Sequence, residues 1–132
     1  MDATITQIKD WIITLLGTIT NINEVSWFVK TNIKYPYCFV KYRTSDNVVI
    51  STWKRYKKEH VFDIQVWYNY DNDEDAEEFT ITLAQNLLDL FNNNPSLNWL
   101  VNFVQINQIS EDILDDDKKE KIVNANITVI IQ

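Results

Sequence analysis

The stretch His60-Val61-Phe62-Asp63-Ile64-Gln65-Val66-Trp67-Tyr68-Asn69-Tyr70 decides the fold class. Phe62, Ile64, Val66 and Tyr68 alternate with Asp63, Gln65, Trp67 and Asn69. Successive strand side chains point to opposite faces, so this alternation sets an apolar face against a core and a mixed face away from it. Such a pattern belongs to a half-buried antiparallel strand, whereas a strand buried on both faces of a parallel sheet reads as one continuous apolar run.

Downstream the period changes from two to about three and a half. The acidic cluster Asp71-Asn72-Asp73-Glu74-Asp75 precedes Ala76, Phe79, Leu83, Leu87, Leu90 and Phe91, which recur at helical spacing. This predicts a long amphipathic helix whose acidic first turn complements the positive end of its dipole, with Asn or Asp as its cap. Asn92-Asn93-Asn94-Pro95 ends it, because Pro cannot continue a helix and Asn tolerates a left-handed exit. Trp99 to Ile109 and Lys121 to Ile131 then read as extended. In the second run Val123, Ala125, Ile127, Val129 and Ile131 share one face. Between them Ser110 to Glu120, centred on Asp115-Asp116-Asp117-Lys118-Lys119, reads as an exposed hairpin loop.

Upstream, Tyr35-Pro36-Tyr37-Cys38-Phe39-Val40-Lys41-Tyr42-Arg43 is rich in aromatic and β-branched residues and reads as a strand with Pro36 at its opening. Thr44-Ser45-Asp46-Asn47 reads as a turn, and Val48-Val49-Ile50 as the start of an extended stretch leading through Trp53. Val25 to Val29 reads as a short strand or a loop anchored by Trp27 and Phe28. Within residues 3 to 19, Ile5, Ile8, Ile12, Leu15, Leu16 and Ile19 mark a first amphipathic helix, which Gly17 caps or merely interrupts. The order is helix, three extended segments, helix, two strands. It predicts an α+β fold in one domain over residues 1–132, a mainly antiparallel sheet with two amphipathic helices packed on one face.

The chain's 132 residues suffice for one domain with a core of its own. Hydrophobic residues make up 45 % and aromatics 13 %, which excludes intrinsic disorder. No apolar run reaches the ~18 to 20 residues of a membrane span, and the first residues lack the basic-then-apolar layout of a signal peptide. A single cysteine, Cys38, leaves no internal disulfide, zinc cluster or CxxC redox pair. One glycine, Gly17, cannot build a P-loop or dinucleotide fingerprint. A net charge of −7 argues against gripping nucleic acid, which needs a basic face.

Other chemistry is weighed residue by residue. Counted as a calcium loop from Asp71, the sixth position is Ala76 and the twelfth Thr82, where Gly and Glu are required, so the cluster reads as a helix start. Asp115 to Asp117 stand beside Lys118, Lys119 and Lys121, which suits a solvated loop tip better than a metal site. Cys38 lies in an apolar strand context, where cysteine behaves as a small hydrophobe, so a Cys38–His60 catalytic pair is disfavoured. These readings give a non-enzymatic protein with no cofactor and no metal. The segment Trp53-Lys54-Arg55-Tyr56-Lys57-Lys58 is the one basic stretch interleaved with aromatics. Arg, Trp and Tyr are enriched at protein–protein hot spots, and the acidic bulk favours an interface over a nucleic-acid groove. Arg43, Trp53, Arg55, Tyr56, Lys57 and Lys58 are therefore the candidate interface residues, with the Asp115–Lys119 loop a weaker one.

Taken together, these elements resemble the tail terminator (tail completion) proteins of long-tailed bacteriophages and the related head–tail completion proteins. The resemblance spans nearly the whole chain. It is carried by the opening helix Thr4 to Leu16, the strand Tyr35 to Val40 and the following loop rich in Trp, Arg and Lys. The strand Phe62 to Tyr68, the acidic start of a Leu-rich helix and the closing pair of strands complete it. It implies an α+β subunit that assembles into a ring, commonly a hexamer, with no catalysis and no cofactor. The ring would cap the tail tube, stop its polymerisation and meet the neck or connector protein at the virion's tail–neck junction, after assembly in the host cytoplasm. DNA would pass through an acidic lumen without being held there. The alternatives are a head–tail connector or neck completion protein and, outside virions, a monomeric α+β module that binds a ligand or peptide.

Overall fold

A computed structural model describes residues 5–20, 22–27, 34–49, 56–94, 103–115 and 117–131. Helix α1 (Ile5–Leu16) leads into strands β1 (Glu24–Ser26), β2 (Tyr37–Val49) and β3 (Tyr56–Asn69). Helix α2 (Asp73–Asn93) and strands β4 (Phe103–Asp115) and β5 (Glu120–Ile131) follow. One five-stranded sheet has the order β1-β2-β3-β5-β4, with β1 parallel to β2 and every other pair antiparallel. The expected α+β architecture and element order are therefore present.

Strand β3 takes the place its alternation assigns. It is hydrogen-bonded to β2 on one side and to β5 on the other, and Phe62, Ile64, Val66 and Tyr68 are fully or almost fully buried. Burying an aliphatic or aromatic side chain of this size stabilises the fold by about 1.5–3 kcal/mol. Val123, Ala125, Ile127 and Val129 of β5 and Cys38 and Val40 of β2 extend the same apolar face. Ile8, Ile12 and Leu16 of α1 and Ala76, Leu83, Leu87 and Phe91 of α2 close over it as one continuous core. Helix α1 lies against β1 and β2, and α2 against β4.

Two expected loops are strand. Thr44 to Asn47 continue β2, pairing with Val61, His60, Glu59 and Lys58. Turn-forming side chains matter where backbone groups lack partners, and here β3 supplies a complete ladder. Likewise Ser110 to Asp115 belong to β4, where Ser110, Glu111, Asp112 and Ile113 pair with Asn124, Val123, Ile122 and Lys121. The charge of that stretch is accommodated because β4 is an edge strand. The connection to β5 shrinks to residues 116–119, with Lys119 at φ 54° and the Asp115 carboxylate accepting a hydrogen bond from the Lys118 amide at 3.1 Å.

The long outer strands carry bulges, one in β2 and two in β4, the last of them between Ile113 and Asp115. In β2, Tyr42 pairs with Phe62 and Thr44 with Val61, so Arg43 is the extra residue. In β4, Ile106 pairs with Ile127 and Ile109 with Ala125, so one extra residue lies between them. Each bulge inverts the alternation beyond it. That inversion lets both Ile106 and Ile109 pack against the core although their spacing is odd.

The helix ends follow the sequence in part. Asn72 caps α2, its side-chain oxygen accepting from the Asp75 amide at 2.9 Å ahead of Asp73, Glu74 and Asp75 in the first turn. At the other end Asn94 has φ −130°, not a left-handed exit, and its side-chain amide donates to the Leu90 carbonyl at 2.8 Å. Nor is Gly17 a left-handed cap. It has no positive φ, its amide continues the helix by donating to the Ile13 carbonyl at 3.0 Å, and an added Cβ would meet nothing nearer than 3.4 Å. Glycine therefore contributes only unfolded-state entropy at this position. Gly17→Ala is expected to raise unfolding free energy by about 0.5–1 kcal/mol, read from denaturant titration at unchanged slope.

Candidate functional site

Of the expected interface residues, Arg43, Tyr56, Lys57 and Lys58 lie on the β2–β3 pair. Arg43 sits at the β2 bulge with its side chain 57 % exposed, its guanidinium 3.8 Å from Asp63. That separation is an ion pair without a hydrogen bond. Tyr56, Lys57 and Lys58 open β3 opposite Val49, Val48 and Asn47; their side chains, like the whole of Trp53 and Arg55, lie outside the described residues. Arg43 stands between the partners Phe62 and Val61, roughly 10 to 15 Å along the strand from Lys58 at ~3.3 Å per residue. Arg43, Lys57 and Lys58 thus share one pair of strands at separate positions along it.

The sheet face away from the helices is polar. Asp63 and Gln65 of β3 stand beside Asn126 and Asn124 of β5, and all four are half-buried. Trp67 donates its indole N–H to Gln65 at 3.2 Å and meets Tyr37 edge-on, with ring centres 6.1 Å apart. Asn124 donates to Asp112 at 3.0 Å, and Asn107 to the Thr128 hydroxyl. At its β1 end this face is closed over, Tyr37 being fully buried and sharing a hydrogen bond with the buried Ser26. Among the described tryptophans, Trp27 is the most exposed at 57 %, with the Lys9 ammonium 4.6 Å from its ring centre.

A second cluster, absent from the sequence reading, joins α2 to the end of the sheet. The Tyr68 hydroxyl lies 2.8 Å from the Thr80 hydroxyl and 3.3 Å from both the Ala76 carbonyl and Glu111, so its single proton is shared among these acceptors. Thr80 also donates to Glu111, whose other oxygen takes the Lys121 ammonium at 2.9 Å. Lys121 in turn lies 4.9 Å from the centre of the Tyr70 ring. Burial pushes the Tyr68 hydroxyl above its usual range. For Glu111, burial pushes upward, but hydrogen bonds from Thr80, Lys121 and Tyr68 outweigh it and hold the carboxyl low. The Glu111 hydrogen bond raises Lys121. Beside the cluster opens a cleft of about 500 Å³ lined by Tyr70, Phe79, Asp71, Asp75 and Asp117. Glu111 was hidden in the sequence because its neighbours read as loop; its alternation with Ile109 and Ile113 is the signal that marks it as facing the helices.

The strands keep Cys38 and His60 apart. Cys38 pairs with Val66 and His60 with Ser45, a separation of about 20 Å along β3. Cys38 is fully buried and its thiol is pushed up to about 12 by desolvation. His60, itself buried, places Nδ1 3.1 Å from the Tyr42 hydroxyl. Neither thiolate nor base is positioned for nucleophilic chemistry. No group of three or more candidate metal ligands occurs among the described residues. No helix among them is long and apolar enough to cross a membrane. No protein-family model and no curated protein matches the chain.

The Glu111 network fixes the sign of an acid dependence. Its folded pKa lies below the unfolded value near 4.5, so its contribution is present above that value and lost as pH falls below it. Glu111→Gln should lower stability at pH 7 and lose less on acidification from pH 5 to 3, the two curves converging in acid. Thermal unfolding across that range reads the difference. Cys38 should resist alkylation in the native protein and react only on unfolding, followed by mass spectrometry with and without denaturant.

Proposed function

We propose that this chain is a virion structural protein, a tail terminator that caps the phage tail tube as a ring and stops its polymerisation. It would join the tube to the neck or connector protein, with six copies to the ring as the resemblance implies. One observation carries the reading. Both helices cover the same face of the sheet, while the outer edge of β4 and β2 beyond Phe39 pair with no described strand. Strand edges without a described partner suit a subunit completed by other chains. The polar, half-buried outer face suits contact with protein, and the acidic balance suits a ring through which DNA passes unheld. A connector would use the same surfaces toward a different ring.

Two measurements test the proposal. Light scattering behind size exclusion, over a range of protein and salt concentrations, is expected to find a defined species near six times 15.7 kDa. Added to growing tail tubes, the protein is expected to halt elongation and sediment with them. A species of ring size that ignores tubes but binds the head connector would reassign it to the connector. A chain that stays monomeric and neither halts nor joins tubes would overturn the reading in favour of a monomeric binding module.

A further inference from the structure

Charge is segregated along the chain more sharply than its net value shows. No Lys or Arg occurs from Val61 to Asp117, and α2 carries Asp73, Glu74, Asp75, Glu77, Glu78 and Asp89. Conversely, Asn47 to Lys58 holds Lys54, Arg55, Lys57 and Lys58 and no Asp or Glu. The last two stand on β3 at one end of the sheet. There Lys58 pairs with Ile131 of β5, while Lys57 and Tyr56 have described partners only in β2.

The first half of α2 presents the complementary surface. Glu74, Glu77 and Glu78 are exposed and take part in no ion pair among the described residues. Glu74 lies three and four residues from the other two, a spacing at which like charges repel on a helix. With Thr82 they line a shallow groove of about 270 Å³ around Ile81, which is 61 % exposed. An apolar side chain ringed by carboxylates fits a partner that brings cations and apolar surface together. Trp53-Lys54-Arg55-Tyr56-Lys57-Lys58 has that composition. Lys57 and Lys58 cannot meet this groove within one copy. Hydrogen bonds from Tyr68 to Ala76 and Thr80 hold this half of α2 at the far end of β3. From Tyr68 back to Lys58 the strand spans roughly 33 Å at ~3.3 Å per residue.

We infer that copies of this chain join head to tail through these two surfaces. The basic end of the β2–β3 pair seats on the acidic half of α2 in the next copy, Lys57 and Lys58 against Glu77 and Glu78 beside Ile81. Because the two surfaces differ and lie at opposite ends of a copy, each contact leaves one of each free. The series therefore propagates and closes where the rotation allows. The inference rests on the assembly reading above and names the surfaces that assembly uses.

Charge reversal tests it. Lys57→Glu/Lys58→Glu and Glu77→Lys/Glu78→Lys should each lose the ring-sized species. Light scattering reads the loss, or chemical crosslinking on tube ends if the free wild-type chain is monomeric. Circular dichroism checks that each variant keeps its fold; where a double reversal disturbs it, Lys58→Glu and Glu78→Lys make the same test. An equimolar mixture of the two reversed proteins should regain the ring-sized species, since in a ring of alternating copies every contact again joins opposite charges. Either reversed protein assembling by itself, or a mixture that fails to recover, overturns this contact and leaves the assembly reading standing. A wild-type chain monomeric both alone and with tail tubes overturns both.

Discussion

Phe62, Ile64, Val66 and Tyr68 stand in a row on a strand whose backbone is hydrogen-bonded on both sides, so sliding and turning are both closed to it. A slip of one residue would bring Asp63, Gln65 and Trp67 to the core in their place, and the desolvation of a carboxylate alone makes that prohibitive. With this row fixed, β5 must present Val123, Ala125, Ile127 and Val129 beside it, and the helices have one surface on which to lay Ile12, Leu16, Leu83 and Leu87. The hydroxyl at the end of the row, on Tyr68, fastens β3 to α2 through Thr80 and to the outer strand through Glu111. A polar device thus secures the edge of an apolar core where the aliphatic contacts run out.

Periodicity made the architecture legible. Helical spacing in α1 and α2 and the alternation in β3 and β5 come from burial on one face, a global constraint that repeats along each element. What stayed illegible was set by pairing. Thr44 to Asn47 and Ser110 to Asp115 have the composition of turns, yet each lies opposite a strand offering backbone partners. Bulges then erase the alternation that would have revealed them, since a window spanning Arg43, the stretch from Ile106 to Ile109 or that from Ile113 to Asp115 mixes two phases. The capping of α2 was legible at its start, where the Asx side chain acts locally. It was not at its end, where Asn94 uses its amide in place of a left-handed backbone.

Of the candidate interface, sequence identified chemistry but not placement. Arg43 emerges as a bulge residue on the outer face, a position no composition argument specifies. The Glu111 network was missed for the opposite reason, its partners Tyr68, Thr80 and Lys121 being scattered over the second half of the chain and meeting only because α2 lies along β4. Cys38 shows the converse, its apolar strand context marking it in sequence as a small hydrophobe, and the strand buries it.

The bulges have a geometric consequence as well. An extra residue bends the strand that holds it and steepens its twist, and here the bends fall on the outer strands while β3 and β5 pair without interruption. Each copy is therefore curved toward its margins. Deleting Arg43 would restore a regular ladder between Tyr42–Phe62 and Thr44–Val61 and straighten that margin of the sheet.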